Sequence, residues 1–447
     1  MKSTSTLVTI VAAAAAVVYS ADAKKDKDVE TVETVETVET VEVVEVVKTE
    51  DVDAKLVTSP TYWPTYSPTV IEDDEPSTPK GFLGNGLIDV PELGIRLDSS
   101  LTATQIAKAG QKVQLKDGNS NLRWHNWMDG ASAIALPNGG HVYVSNSEAD
   151  NGNGGVYGLY FDKKGQPYDY KQLLSGTTWN CSGGKTPWNT WVSCEEHSQG
   201  QCWEIDPNPS SEHHDSPQQT VLGGKDGGKY EAVAVQDSKD SDGPTFFVTE
   251  DRSNGALRRV ETSCRGWNAL KVGGCPSKTT YLRFLNNQRF EWTSDEALGR
   301  QSASKYYPNT EGITFHNGKL TFVSKAWHVI YSLDFNTMTW ARERTGRGKL
   351  IGGEGSFLGQ PDGVISGYNQ RYMYFTEEDE KGNGMYARDE WGKYYTVFEA
   401  ISGQFVGDET VGLSVSPDGK TMYAGYQEQG VLFAIKRKDD KEWERYR

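Results

Sequence analysis

The sequence predicts an all-β fold, a six-bladed β-propeller carried behind a disordered acidic N-terminal stalk. Three observations lead there. Beyond about residue 81 the chain is rich in Trp, Tyr, Phe, Val, Thr and Gly and shows almost no helical periodicity, the composition of short strands joined by tight turns. A turn-plus-strand unit recurs six times, starting at Asn138 (NGGHVYVSNSE), Asn189 (NTWVSCEE), Asp242 (DGPTFFVTED), Asn317 (NGKLTFVSK), Asn369 (NQRYMYFTEED) and Asp418 (DGKTMYAGYQE). The starts lie 51, 53, 75, 52 and 49 residues apart, and a period near 50 residues is that of one four-stranded blade.

The N-terminus sets the compartment. Lys2, the apolar run 7–18 and the small residues of Ala21-Asp22-Ala23 form a signal peptide over residues 1–23, too short to span a bilayer. Residues 24–80 hold a repeated Val-Glu-Thr tract, Pro60, Pro64 and Pro68, and an acidic run from Glu72. Six Lys against fifteen acids give this stretch −9 of the chain's −16. Such a segment cannot bury a core and reads as a solvated linker, or as a tether to wall polysaccharide or mineral. Residues 81–447 are then the propeller domain. With a pI near 5.0 and no basic stripe, nucleic acid is excluded as a ligand. No later run is long and apolar enough for a transmembrane segment. We expect a secreted, extracellular or wall-associated monomer.

Five cysteines in an oxidising compartment leave at least one unpaired. Cys264 and Cys275 flank a short loop and make the nearest pair. Cys181, Cys194 and Cys202 compete for at most one further bridge.

A second pattern precedes the turns. An acid and a small residue open the leading strand in Asp129-Gly130, Glu231-Ala232, Glu311-Gly312 and Asp362-Gly363, whereas the second unit has Gly183-Gly184 and the sixth Val411-Gly412. The leading strand of a blade is its innermost, so the four acids converge on the channel. The ends of the following strands add Glu148, Cys194, Glu195, Glu250, Asp251 and Glu378. Neighbouring residues on a strand face opposite sides, so Glu195-Glu196 and Glu377-Glu378 cannot all point inward. Confined carboxylates stay ionised only when cations neutralise them. Oxygen donors suit Ca²⁺, and a thiolate beside them suits a softer transition metal.

The block TTWNCSGGKTPWNTWVSCEE over residues 177–196 resembles the signature of PhoX-like alkaline phosphatases, and Asp129-Gly130, Tyr230-Glu231-Ala232, Thr249-Glu250-Asp251, Glu311-Gly312, Pro361-Asp362 and SPDGKTMYAGYQEQG fit the same family in order. The resemblance spans roughly residues 120–437. It implies a six-bladed propeller that hydrolyses phosphate esters at a cluster of Fe and Ca. Carried over, Cys194, Glu231 and Glu311 would ligate iron, while Asp362 and one of Glu250 or Asp251 would serve calcium. The chain departs from the family at three places: Asn309 stands for an Arg, Ser147 for a His and Tyr230 for a His. Without that Arg fork, Lys185, Arg252 or Lys325 is left to meet the phosphate. Two other readings fit the same residues: a calcium-stabilised propeller that binds wall or matrix without catalysis, and a Ca-dependent lactonase or arylesterase. No nucleophile elbow, phosphate-binding Gly loop or zinc finger occurs.

Overall fold

The computed structural model describes residues 81–345, 357, 359–367, 371–378, 383–405 and 407–443. The signal peptide and the acidic linker lie outside them. Six antiparallel sheets stand around a common axis, as the repeat predicts. The first blade is Met128–Ala135, His141–Ser147, Gly154–Phe161 and Pro167–Thr177, and the second is Asn180–Lys185, Trp191–Glu195, Cys202–Ile205 and Gln218–Gln219. The third opens with Tyr230–Gln236 and Thr245–Glu250, and the fourth with Thr310–His316 and Lys319–Ser324. Gln360–Ser366 and Tyr372–Glu378 open the fifth, and Thr410–Val415 and Thr421–Tyr426 the sixth. In each blade the strand named first lies innermost, and successive inner strands touch around the whole ring.

The ring closes through the N-terminus. Leu101–Lys108 is the outermost strand of the sixth blade, pairing antiparallel with Val431–Arg437 from Leu101↔Arg437 to Lys108↔Val431. Early and late chain segments thus share one sheet, and the radial repeat leaves each blade only a short outer edge. The packing beneath is aromatic: Phe398 and Tyr426 lie against Phe433 between the fifth and sixth blades, and Phe247 stacks on Phe315 between the third and fourth.

The 75-residue interval has a concrete origin. The third blade carries a fifth strand, Phe290–Thr293, followed by an α-helix, Glu296–Tyr306. Asp295 caps that helix by accepting hydrogen bonds from the backbone N–H groups of Ala297 and Leu298. Cys264 and Cys275 form a disulfide in the same interval.

One irregularity recurs in all six inner strands. Each pairs regularly up to one residue, then skips before pairing resumes two partners further on, from Met128, Asn180, Tyr230, Thr310, Pro361 and Thr410–Val411. Such a bulge re-aims one side chain. The small residue after it is dictated by crowding at the axis: a Cβ on Gly312 would sit 2.4 Å from the backbone nitrogen of Val364 in the next blade.

Candidate functional site

The bulge builds the site. In the first five blades the residue next after the last regular pair is Asp129, Cys181, Glu231, Glu311 or Asp362; in the sixth, where pairing runs on to Val411↔Gly425, Val411 takes the corresponding place after Thr410. They form an inner ring at one mouth of the channel. The second blade's contribution is therefore Cys181, not the Gly183-Gly184 pair that the strand pattern aligned with the acids. A second ring follows the ends of the next strands: Glu148, Glu196, Asp251, Lys325, Glu378 and Gln427. Five of these hold the same backbone contact, donating N–H to the carbonyl of Trp127, Trp179, Lys229, Asn309 and Glu409 respectively (2.7–3.1 Å), Gln360↔Glu378 being paired in the fifth. These carbonyl bearers, with Gln360, form an outer rim.

Three sets of ligand atoms lie within 4.8 Å of one another: Asp129, Glu148 and Cys181; Cys181, Glu196 and Glu231; and Glu231, Glu311 and Asp362. Asp129, Glu231 and Glu311 are buried, and the Cys181 thiol donates to Glu231 Oε1 at 3.1 Å. Burial, then the neighbouring charges, raises the acids above their ordinary range: Asp129, Glu231, Glu311 and Glu409 strongly, Glu148 to about 7 and Asp362 to about 6. Burial, followed by Asp129 and Glu231, also pushes the Cys181 thiol well up. Against these acids stand two ammonium groups. Lys229 meets Glu196 at 3.1 Å, and Lys325 touches Glu311 at 2.7 Å, Glu378 at 3.2 Å and Asp251 at 3.3 Å. Burial pulls Lys325 down, but Glu311, Glu378 and Asp251 outweigh it and hold its proton firmly.

The donors fit metal ions. Asp129 Oδ2 and Glu231 Oε2 are buried without a hydrogen-bond partner among the described residues. Such orphaned oxygens are costly unless something charged completes them. The first two sets mix sulfur with oxygen; the third is all oxygen.

Several sequence expectations are corrected by their partners. Cys194 is not a thiolate at the channel: it lies opposite Cys202 on the adjacent strand and is disulfide-bonded to it. The free thiol is Cys181. Glu195 faces away, accepting from Thr178 N, Gln201 N and the Trp203 indole, while its neighbour Glu196 turns inward. Glu250 is likewise spent on Arg252 (3.3 Å) and Arg300 (3.1 Å) beneath the mouth, and Asp251 takes the inward place. Arg252 is thereby committed to Glu250. Asn309 donates to Asp251 Oδ1 at 2.7 Å, and Lys185 lines the channel cavity of about 260 Å³ below Asp129, Glu231 and Asp362. Asp129, Glu148, Glu231, Glu311 and Asp362 stand together as their repeat suggests, with Asp251 and Glu378 beside them through Lys325. Cys181, Glu196 and Glu409 were missed. Cys181 sits in the Asn-Cys-Ser-Gly-Gly segment already quoted, and its distance from the next acid, 50 residues to Glu231, was the available signal.

Two family departures lie off the site. Ser147 donates its hydroxyl to the Asn126 carbonyl, and Tyr230 lies under Arg258 with its oxygen accepting from Gly224 N. Only Asn309 stands at the rim.

A closed six-bladed propeller with acids, a thiol and a lysine at one mouth defines a class of propellers with candidate metal-ion sites. The family described as Alkaline phosphatase PhoX matches residues 100–253, and over that stretch the chain is similar to it. Among solved structures, Pseudomonas fluorescens PhoX in complex with vanadate, a transition state analogue, aligns with a TM-score of 0.61 at 15% identity, covering 81% of this chain and 99% of that one. At that identity the likeness is one of fold. A structural genomics protein of unknown function from Bacteroides thetaiotaomicron aligns at 11% identity with a TM-score of 0.46, over 75% of this chain and 76% of that one. No curated protein matches the sequence. Among the described residues no helix is long and apolar enough to cross a membrane.

Proposed function

We propose that this chain is a secreted, metal-dependent phosphoric ester hydrolase of the PhoX type. One observation carries the reading: a thiol, Cys181, stands among converging carboxylates with orphaned oxygens, inside the segment that matches the family. The mixed sets at Cys181 suit a transition metal such as iron, and Glu231, Glu311 and Asp362 suit calcium. Bound cations there supply charge stabilisation for a phosphoryl group and an activated oxygen nucleophile.

The chain's own residues set the rest. Phosphoryl transfer needs positioning and positive charge more than covalent help. Lys325 holds a proton on Nζ among Glu311, Glu378 and Asp251 and would be the cation to meet a phosphate oxygen once metal ions take over those carboxylates. This is the role the sequence left open among Lys185, Arg252 and Lys325. Asn309 offers an amide where the family has Arg, but it is engaged with Asp251. The lysine is a point charge rather than a fork, so we expect looser phosphate binding than a bidentate site gives.

Elemental analysis of the purified protein for Fe and Ca, beside assays on phosphomonoesters, phosphodiesters and lactones, tests the proposal. Both metals should be present, and phosphoester hydrolysis should vanish on chelation and return on metal addition. Lys325→Ala should raise KM by about tenfold or more, the scale of losing one charge-assisted contact. Calcium alone with lactone hydrolysis, or metal without any hydrolysis, would transfer the assignment to the lactonase or the wall-binding reading.

A further inference from the structure

The outer rim carries a feature that phosphate chemistry does not need. Two of its six positions are tryptophans, Trp127 and Trp179, in adjacent blades, and they are 43% and 41% exposed. Both have positive φ, 52° and 50°, a left-handed backbone that bulky residues rarely adopt. Glycine would be the unstrained choice there. An exposed aromatic held in a strained conformation at a cleft mouth is a residue kept for its side chain.

The rim's hydrogen bonds show where these residues sit. Lys229 of the third blade reaches Glu196 of the second at 3.1 Å, and Asn309 of the fourth reaches Asp251 of the third at 2.7 Å. These two rim side chains lean over the second ring of the preceding blade. Trp127 and Trp179 bracket the strand end at Glu148: the Trp127 carbonyl accepts from Glu148 N–H at 2.7 Å, and Trp179 N–H donates to the Ala149 carbonyl at 2.9 Å. Glu148 is also held by Gln427, whose Nε2 donates to its Oε2 at 2.8 Å. The Trp179 ring meets the ring of His197 edge-on at 6.5 Å. Both tryptophans therefore flank one sector of the rim, beside the Asp129–Glu148–Cys181 set. The sector opposite, around Lys229, Asn309 and Lys325, is polar and charged.

From this asymmetry we infer that Trp127 and Trp179 are specificity-determining residues that stack the organic part of the substrate, selecting phosphate esters whose alcohol carries a flat aromatic group, an aryl ring or a nucleobase. The inference rests on the phosphoester reading above. An aromatic face offers offset stacking to any planar π system and little to a short polyol. A phosphate bound among the inner acids would leave its ester group to face the rim that carries the two tryptophans.

The test compares kcat/KM for phenyl phosphate, adenosine 5′-monophosphate and glycerol phosphate in the metal-loaded wild type, Trp127→Ala, Trp179→Ala and the two Phe variants. The aryl-to-glycerol and nucleotide-to-glycerol ratios should fall about five- to hundredfold in the Ala variants, the range that loss of one base–aromatic stack gives. The change should sit in KM, and Phe should keep each ratio within about threefold. The flat substrate whose ratio falls more identifies the natural class. Unchanged ratios, parallel losses on all three esters, or Phe variants as poor as Ala would overturn the inference. Binding of phenylphosphonate against methylphosphonate, measured by calorimetry, separates the two claims. A phenyl preference that disappears in the Ala variants upholds stacking even if no ester is turned over, and equal binding of both refutes it even if esters are hydrolysed.

Discussion

Cys181→Ser should strip the transition metal from the protein and lower phosphoester hydrolysis by more than about a hundredfold, while bound calcium and the fold remain. The size follows from position. Changes one shell out from a metal cost about 10- to 100-fold, and Cys181 belongs to two of the three donor sets. A hydroxyl replaces the thiol at nearly the same volume but is a poor partner for a soft ion. The paired control is Cys194→Ser/Cys202→Ser. That change opens a loop with a sequence separation of 8 and should cost about 2–3 kcal/mol of stability by loop-closure entropy, with the metal content intact. Metal analysis and thermal melts on both variants read the difference. Metal lost from the double variant and kept in Cys181→Ser would place the soft ligand at Cys194 after all.

Chelated protein should lose stability as pH rises from about 4.5 to 8, opposite to the usual acid denaturation of carboxylate-rich proteins. Glu148 is raised from 4.5 to about 7 and Asp362 from 3.8 to about 6, burial being the first cause in both. A raised carboxyl pKa means the folded state binds more protons than the unfolded chain. Stability is then full below the unfolded pKa and drains away as pH passes through the folded one. At 1.36 kcal/mol per unit, Glu148 alone accounts for about 3 kcal/mol across that window. Asp129, Glu231, Glu311 and Glu409 shift in the same direction and extend the loss to higher pH. Melting temperature against pH, with chelator and with added Ca²⁺, checks this. A drop of several degrees between pH 5 and pH 8 that calcium abolishes is expected. A flat profile would mean the acids are not held together in the metal-free protein.

The architecture was legible because blade period and strand pattern are local. Turn residues such as Asn138-Gly139 and Asp418-Gly419 mark one hairpin each, and six such starts, four of their five spacings near 50 residues, make six blades without any knowledge of contacts. The four acids of the inner ring were legible for the same reason, each being tied to a small residue that axial crowding requires. The long third interval was harder. Its helix, Glu296–Tyr306, has the sequence EALGRQSASKY, and it buries only the small residues Gly299, Ser302 and Ala303, so no apolar stripe announces it.

The sequence by itself determined the propeller, its six-fold register, the inner acids Asp129, Glu231, Glu311 and Asp362, and the presence of an odd thiol. Only the tertiary structure decided which member of each adjacent pair faces the channel: Glu196 rather than Glu195, Asp251 rather than Glu250, Glu378 rather than Glu377. It also decided that the thiol is Cys181. The reason is the two-residue period of a strand, in which a one-residue difference reverses the face. That choice rests on the bulge in each inner strand and on the partners of the outward acids. Thr178 and Trp203 claim Glu195, Arg300 claims Glu250, and Tyr386 claims Glu377, contacts made between strands and between turns that no local pattern records.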